Sequence, residues 1–251
     1  MFKIPVRTPA VLMAALILIP GVAASQSVRI TPKKVIYKRL GKDVPDYKRT
    51  FEVRYPVFSG KLSAPALRNL KRNTDYWPLF EINLSENLTD DDWLSSLGYQ
   101  VKYNNKNLLA IWLSEEGSGA YPDSITKYLV IDLRNGNVLT IEDLFKTNQL
   151  TSLRNVIRQK MKSQKGALNK ERKDELKEIR KMSPELYPLP TKLELKNLSG
   201  FSISDRGVTF IYSYDYPHAA KAFEPSGAFF VPYSQLRPFI RNDGLLARFV
   251  R

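Results

Sequence analysis

Residues 126–145, TKYLVIDLRNGNVLTIEDLF, contain a strand, a tight turn and a capped helix within twenty positions. The apolar run at residues 128–131 is typical of a strand in a protein core. Asn135 and Gly136 tolerate positive φ and favour a tight reversal. Thr140 is a good helix N-cap, and Glu142 and Asp143 suit the exposed amides of a first helical turn. This stretch therefore predicts strand, turn, short strand and helix in that order.

The same signals extend along the rest of the chain. Ser63 and Thr89 are predicted helix N-caps, and Gly166 is predicted to interrupt a helical segment at residues 150–181. Residues 80–84 suggest a short extended piece, and residues 235–240 a short helix. The pattern predicts an α+β fold with antiparallel sheet meanders packed against a few helices. Strands are predicted at residues 34–40, 50–57, 99–103, 108–115, 128–133, 138–140, 200–204, 208–214 and 228–231.

The composition excludes several kinds of chemistry. The chain has 251 residues, a net charge of +14 and no cysteine. It therefore has no disulfides, no thiol catalysis and no cysteine-ligated metal. Its length allows a sizeable core, and its charge favours anionic partners.

The N-terminal residues resemble a signal peptide. Lys3 and Arg7 precede a short apolar run at residues 10–19, and small residues follow Pro20. We expect residues 1–25 to be removed by cleavage near Ala24 or Ser25. The alternative is an uncleaved anchor, for which the apolar run is short. Cleavage would remove two positive charges, lower the net charge from +14 to +12 and place the protein in the periplasm or outside the cell.

One segment carries much of the positive charge. Residues 154–181 contain eleven Lys or Arg and four Asp or Glu. Such a run on a helix is commonly a solvated face, and the functional alternative is docking to a wall polymer, lipid head groups or an acidic protein. Nucleic acid is not expected for an exported protein. The candidate docking residues are Arg154, Arg158, Lys162, Lys165, Arg172, Lys173 and Lys177.

The order of motifs resembles a known extracytoplasmic domain. The matching pieces are SGAYP at residues 118–122, the stretch at 129–145, FSISDRGV at 201–208 and VPYSQL at 231–236. They resemble the domain of unknown function shared by lysozyme-sensing anti-sigma factors of the RsiV type and certain peptidoglycan deacetylases. Tyr121 stands where that family often has histidine.

The resemblance covers essentially the whole chain after residue 25. It implies two closely associated lobes, which we place at residues 26–112 and 113–251. It corresponds to the binding half of those proteins, so it implies a binding or sensing role in the cell envelope, without their catalytic or signalling segments. Lysozyme, a partner of some relatives, is mostly basic and would be repelled at long range by a domain near +12.

Aromatic residues are the most promising candidates for ligand contact. Tyr212, Tyr214 and Tyr216 alternate in the sequence, and aromatic faces beside Lys and Arg suit a sugar ring or a peptide stem. Phe229 is expected to lie in the core. The candidate ligand-binding residues are Tyr121, Tyr214, Tyr216, His218, Phe223 and Tyr233.

Three functional hypotheses follow. The first is a non-catalytic envelope domain, without cofactor or metal, that binds a cell-wall component or an extracytoplasmic protein. It would use residues 117–123 and 214–223. The second is a wall-modifying hydrolase using His218, the single histidine, as its base. The third is a structural subunit of an envelope complex.

Overall fold

The protein is α+β, as the sequence predicts. The computed structural model describes residues 27–89, 94–118, 122–182, 193–216, 221 and 224–250. Within these ranges the strands form one six-stranded and one three-stranded sheet. The strands are β1 Arg29–Lys38, β2 Thr50–Ser59, β3 Leu94–Asn105, β4 Leu108–Ser118, β5 Pro122–Asp132, β6 Asn137–Val138, β7 Gly200–Ile203, β8 Gly207–Ile211 and β9 Ala228–Pro232.

The larger sheet contains β1 to β6 in sequence order. The predicted meander is confirmed from β3 to β6, because each of these strands pairs antiparallel with the next. The sequence did not reveal that β2 and β3 pair in parallel, over Glu52–Ser96 and Val53–Leu97. This parallel pairing is possible because a helical connection separates the two strands.

Strands β4 and β5 are buried on both faces where they cross the centre of the protein. Leu109 and Ile111 lie on what we call the first face of the sheet and belong to one apolar core, whereas Leu108 and Ala110 lie on the second face and belong to a second core. Successive side chains of a strand point to opposite faces, so the two cores lie on opposite sides of the same sheet. Burial on both faces explains why residues 108–111, LLAI, are all apolar instead of alternating with polar residues.

Three helices cover the first face. They are α1 Ala64–Asn73, α2 Tyr76–Leu79 and α3 Leu84–Thr89. Ser63 caps α1 as predicted, since its Oγ accepts a hydrogen bond from the Ala66 N–H at 3.3 Å. The extended piece predicted at residues 80–84 is absent, so that prediction was wrong. The helical turn predicted to follow Thr89 lies at residues 90–92, outside the described residues. Thr89 itself belongs to α3. Its hydroxyl donates to the Ser85 and Glu86 carbonyls.

The smaller sheet, in the order β7, β8, β9, contributes to the core on the second face. Helices α4 Ile141–Leu144, α5 Leu150–Glu171 and α7 Tyr233–Leu236 contribute to the same core, while α6 Lys173–Met182 follows α5. Gly166 does not interrupt α5, contrary to the prediction, because the helix continues to residue 171. One glycine in a helix interior costs only about 1 kcal/mol, which neighbouring turns can offset.

The predicted turn and cap at residues 135–143 are confirmed. Gly136 has a φ of +76°, and its N–H donates to the Asp132 carbonyl at 2.7 Å. Thr140 and Asp143 form a reciprocal capping box at the start of α4. The turn also packs on α1, because the Asn73 side chain donates to the Gly136 carbonyl at 2.9 Å.

The boundary predicted between residues 112 and 113 lies inside β4. Division of the chain into two lobes at that position stays a prediction. None of the described helices is long and apolar enough to span a membrane.

Candidate functional site: the β5 pocket

The second core covers only one end of β4 and β5, and the other end of that face carries polar side chains. Trp112 pairs with Tyr128 at the border, with their rings 5.1 Å apart at nearly right angles. Beyond them, Ser114 pairs with Thr126 and Glu116 pairs with Ser124. We call this surface the open face; its half-buried or exposed members are Ser96, Gly98, Ser114, Glu116, Ser124 and Thr126.

A pocket of about 460 Å³ adjoins the open face. One wall is the first half of β5, and the opposite wall is the chain that follows β8. We call it the β5 pocket. Its lining residues are Asp123, Ser124, Ile125, Thr126, Tyr128, Ser199, Ile211, Tyr212, Ser213, Asp215, Lys221, Glu224, Pro225 and Ser226.

Backbone hydrogen bonds hold the second wall in place. The Tyr212 N–H donates to the Gly227 carbonyl at 2.9 Å, and the Ser199 N–H donates to the Ile211 carbonyl at 2.8 Å. Gly227 has a φ of +61°, and a Cβ atom there would lie 1.9 Å from the Tyr212 carbonyl oxygen. Only glycine therefore allows the two segments to approach this closely.

Glu224 accepts a backbone hydrogen bond and forms an ion pair in the wall of the pocket. Its Oε1 accepts a hydrogen bond from the Tyr214 N–H at 3.0 Å, and its Oε2 lies 2.7 Å from the Lys221 Nζ. The hydrogen bond with Glu224 raises the pKa of Lys221, with smaller contributions from the charges of Asp123 and Asp215. Since Glu224 and Lys221 neutralise each other, Asp123 and Asp215 give the pocket a negative excess in a basic protein.

Asp215 has an unusual backbone conformation. Its φ is +50°, in a region that non-glycine residues seldom occupy, although Asp and Asn tolerate it better than most. Its carboxylate accepts a hydrogen bond from the Ser213 hydroxyl at 2.6 Å. The exposed Asp215 carboxylate therefore stands at a fixed place on the pocket wall.

The three tyrosines that alternate in the sequence lie next to one another, although β8 ends at Ile211 and not at residue 214 as predicted. The rings of Tyr212 and Tyr214 are 4.9 Å apart, and those of Tyr214 and Tyr216 are 6.3 Å apart. Tyr212 lines the pocket, whereas Tyr216 is buried. Burial, followed by the neighbouring phenols, raises the pKa of Tyr214 to about 12. The cluster thus supports the pocket wall more than it presents rings to solvent.

Tyr233 lies elsewhere. It follows β9 at the end where Gly207 pairs with Pro232, while Tyr212 is at the opposite end of the same strands. Tyr233 is buried and stacks on Phe249 with ring centroids 4.6 Å apart. Burial also raises its pKa. The structure therefore does not bring Tyr233 together with the tyrosine cluster.

The remaining predicted ligand residues, Tyr121, His218 and Phe223, lie outside the described residues. The sequence predicted binding segments at residues 117–123 and 214–223, which include the pocket residue Asp123, but it did not reveal the pocket residues Ser199 and Ser226. Isolated serines carry no pattern, so the sequence contained no signal for them. Among the described residues, no group of three or more acidic or histidine side chains is placed to hold a metal ion.

The predicted docking residues fall on two helices with different surroundings. Arg154 pairs with Glu194 at 3.0 Å, while Arg158, Lys162 and Lys165 follow it along α5. Arg172, between α5 and α6, pairs with Glu175, and Lys177 pairs with Asp174 on α6 itself. Lys173 is exposed at the start of α6.

Solved structures of other proteins have a similar fold. A DUF3298 family protein from Pseudomonas aeruginosa PAO1 has a TM-score of 0.55 and 16% identity, over 85% of this chain and 94% of that one. A DUF3298 member from Bacteroides fragilis has a TM-score of 0.54 and 14% identity, over 90% and 97%.

The structural neighbours are DUF3298 proteins. DUF3298 is a domain of unknown function, so these neighbours share the fold with this chain and supply no activity. No family model and no curated protein matches the sequence.

Proposed function

We propose that the protein is a non-catalytic binding domain of the bacterial cell envelope, and that the β5 pocket receives part of a cell-wall component. The observation that carries the proposal is the lining of this pocket. Ser124, Thr126, Ser213 and Ser226 are among the residues that line a space of about 460 Å³, which is an ordinary size for a small-ligand site.

The chemistry of the lining favours a polar ligand. Serine and threonine hydroxyls both donate and accept, so they suit the hydroxyl and amide groups of sugars and short peptides. The carboxylates of Asp123 and Asp215 would accept from ligand hydroxyls or pair with an ammonium group. Cell-wall glycan and its stem peptide carry all of these groups. The predicted signal peptide and the resemblance to an RsiV-type extracytoplasmic domain support an envelope location.

A sedimentation assay with purified protein and isolated peptidoglycan sacculi tests this proposal. We expect retention that persists at moderate salt, because hydrogen bonds in a partly enclosed pocket are screened less than surface charges. The Asp123→Asn and Asp215→Asn double variant should reduce retention, and asparagine tolerates the φ of residue 215.

The matched control is Asp43→Asn with Asp46→Asn, which removes two exposed carboxylates from another part of the chain. It should bind like the unmodified protein. Equal loss in both variants would overturn the assignment to the pocket. No retention of the unmodified protein would overturn wall binding itself and leave an extracytoplasmic protein as the ligand.

A further inference from the structure

The two basic helices differ in how their charges are balanced. Helix α5 carries six Lys or Arg and one Glu, whereas α6 carries four Lys or Arg and three acidic residues. On α6 the opposite charges pair locally, with Lys177–Asp174 at 3.3 Å and Lys181–Glu178 at 2.8 Å. The positive excess of the segment therefore belongs to α5.

Four of the six cations of α5 form a narrow row. Leu153, Ile157 and Met161 are buried and fix the inner side of the helix. At 3.6 residues per turn, the side chains of residues 154, 158, 162 and 165 lie within about 80° of arc beside this apolar stripe. They extend over ~16 Å along the helix axis. We call Arg154, Arg158, Lys162 and Lys165 the α5 row.

Two members of the row have no acidic partner among the residues that the structure describes. Arg154 pairs with Glu194, and Lys165 also interacts within the protein. Arg158 and Lys162 make no ion pair with any residue in the described ranges. The Arg158 Nε is buried and has no hydrogen-bond acceptor in the part of the chain that is described.

We propose that the α5 row binds a linear polymer of phosphodiesters, such as poly(glycerol phosphate), that lies along the helix. A single row of cations matches a chain of regularly spaced anions. A lipid bilayer would require a broad basic plane or apolar side chains to insert. The apolar stripe of α5 is already buried, and no large exposed hydrophobic residue lies on its described part. This interaction is separate from the β5 pocket and does not depend on its ligand.

The test uses the purified full chain and titrates it with poly(glycerol phosphate) at low and moderate salt. The decisive variant is Arg158→Gln with Lys162→Gln. Its control is Lys177→Gln with Lys181→Gln, which removes the same charge from the locally paired helix α6. We expect the α5 variant to bind about tenfold more weakly, which corresponds to about 1.4 kcal/mol. The control should change affinity less than about twofold.

Three further measurements make the outcome unambiguous. Thermal unfolding establishes that both double variants are folded, and Arg158→Lys, which keeps the charge, should retain most of the affinity. Equal weakening by both double variants would overturn the proposal, because net charge alone would then explain binding. Binding to vesicles of phosphatidylglycerol as tightly as to the polymer would also overturn it, in favour of a lipid surface.

Discussion

The two ends of strands β4 and β5 differ in what covers their second face. At one end, Leu108, Ala110 and Val130 are fully buried beneath the smaller sheet and the helices around it. At the other end, Ser114, Glu116 and Thr126 are half-buried or exposed on the open face. The same two strands thus contribute to the hydrophobic core at one end and form a polar surface at the other. Under the proposed function, we therefore expect that mutations at the two ends will alter stability and binding separately.

The largest expected effect lies at the covered end, and neighbouring phenylalanines test it. Phe229 and Phe230 are adjacent on β9, with exposed fractions of 2% and 43%. Phe229→Ala should lower the free energy of unfolding by about 3–5 kcal/mol, because it empties a buried site. Phe230→Ala should cost less than about 1 kcal/mol. Urea unfolding measures both, and similar losses would contradict the described division between core and surface.

A smaller loss of stability is expected at Gly227, where the chain before β9 lies against Tyr212 in the wall of the pocket. Gly227→Ala should lower the free energy of unfolding by about 1–3 kcal/mol, because its φ is strained for alanine and its Cβ would meet the Tyr212 carbonyl. Retention on sacculi should fall with it. The control is Gly166→Ala in α5, where, apart from the helix's own backbone and the neighbouring residues, no atom of the described residues lies within 4 Å of the new Cβ. This control should gain about 0.5–1 kcal/mol from helix propensity, so a loss there would refute the comparison.

A still smaller effect is expected at the border between the two ends. The Lys102 Nζ lies 3.8 Å from the centroid of the Trp112 ring. Lys102→Ala should cost about 0.5–1 kcal/mol through loss of this cation–π contact. Lys102→Met keeps the aliphatic length and removes the charge, so it separates packing from electrostatics. If Lys102→Met were as stable as the unmodified protein, the contact would contribute only through packing.

The last effect is measurable only as a pH dependence of stability in alkaline solution. Burial beside Tyr212 and Tyr216 raises the pKa of Tyr214 from 10.0 to about 12. A raised phenol pKa stabilises the fold below pH 10.0, and this contribution is lost as pH rises through about 12. The free energy of unfolding should therefore fall less steeply above pH 10 in Tyr214→Phe. Identical slopes in the variant and the unmodified protein would show that Tyr214 ionises as freely in the folded protein as in the unfolded one.

Local chemistry explains which parts of the fold could be predicted. Asn135 and Gly136, the Thr140 cap and the Ser63 cap act through neighbouring residues, so their sequences suffice. Two other side chains do not follow such signals. Thr89 has the side chain of an N-cap, yet it lies within α3, where its hydroxyl donates to carbonyls of the same helix. Tyr233 has the type of side chain that often contacts ligands, but it is buried in the core, where it stacks on Phe249.

By itself, the sequence determined the α+β class, the antiparallel meander and the turn and cap that follow β5, because these depend on short-range periodicity and backbone preference. It also determined the positive charge of residues 154–181. Only the tertiary structure decided that β2 and β3 pair in parallel, that β5 faces the chain after β8 across a pocket, and that α5 keeps its charge excess while α6 pairs its own. These features depend on contacts between residues far apart in the chain, and such contacts leave no regular spacing in the sequence.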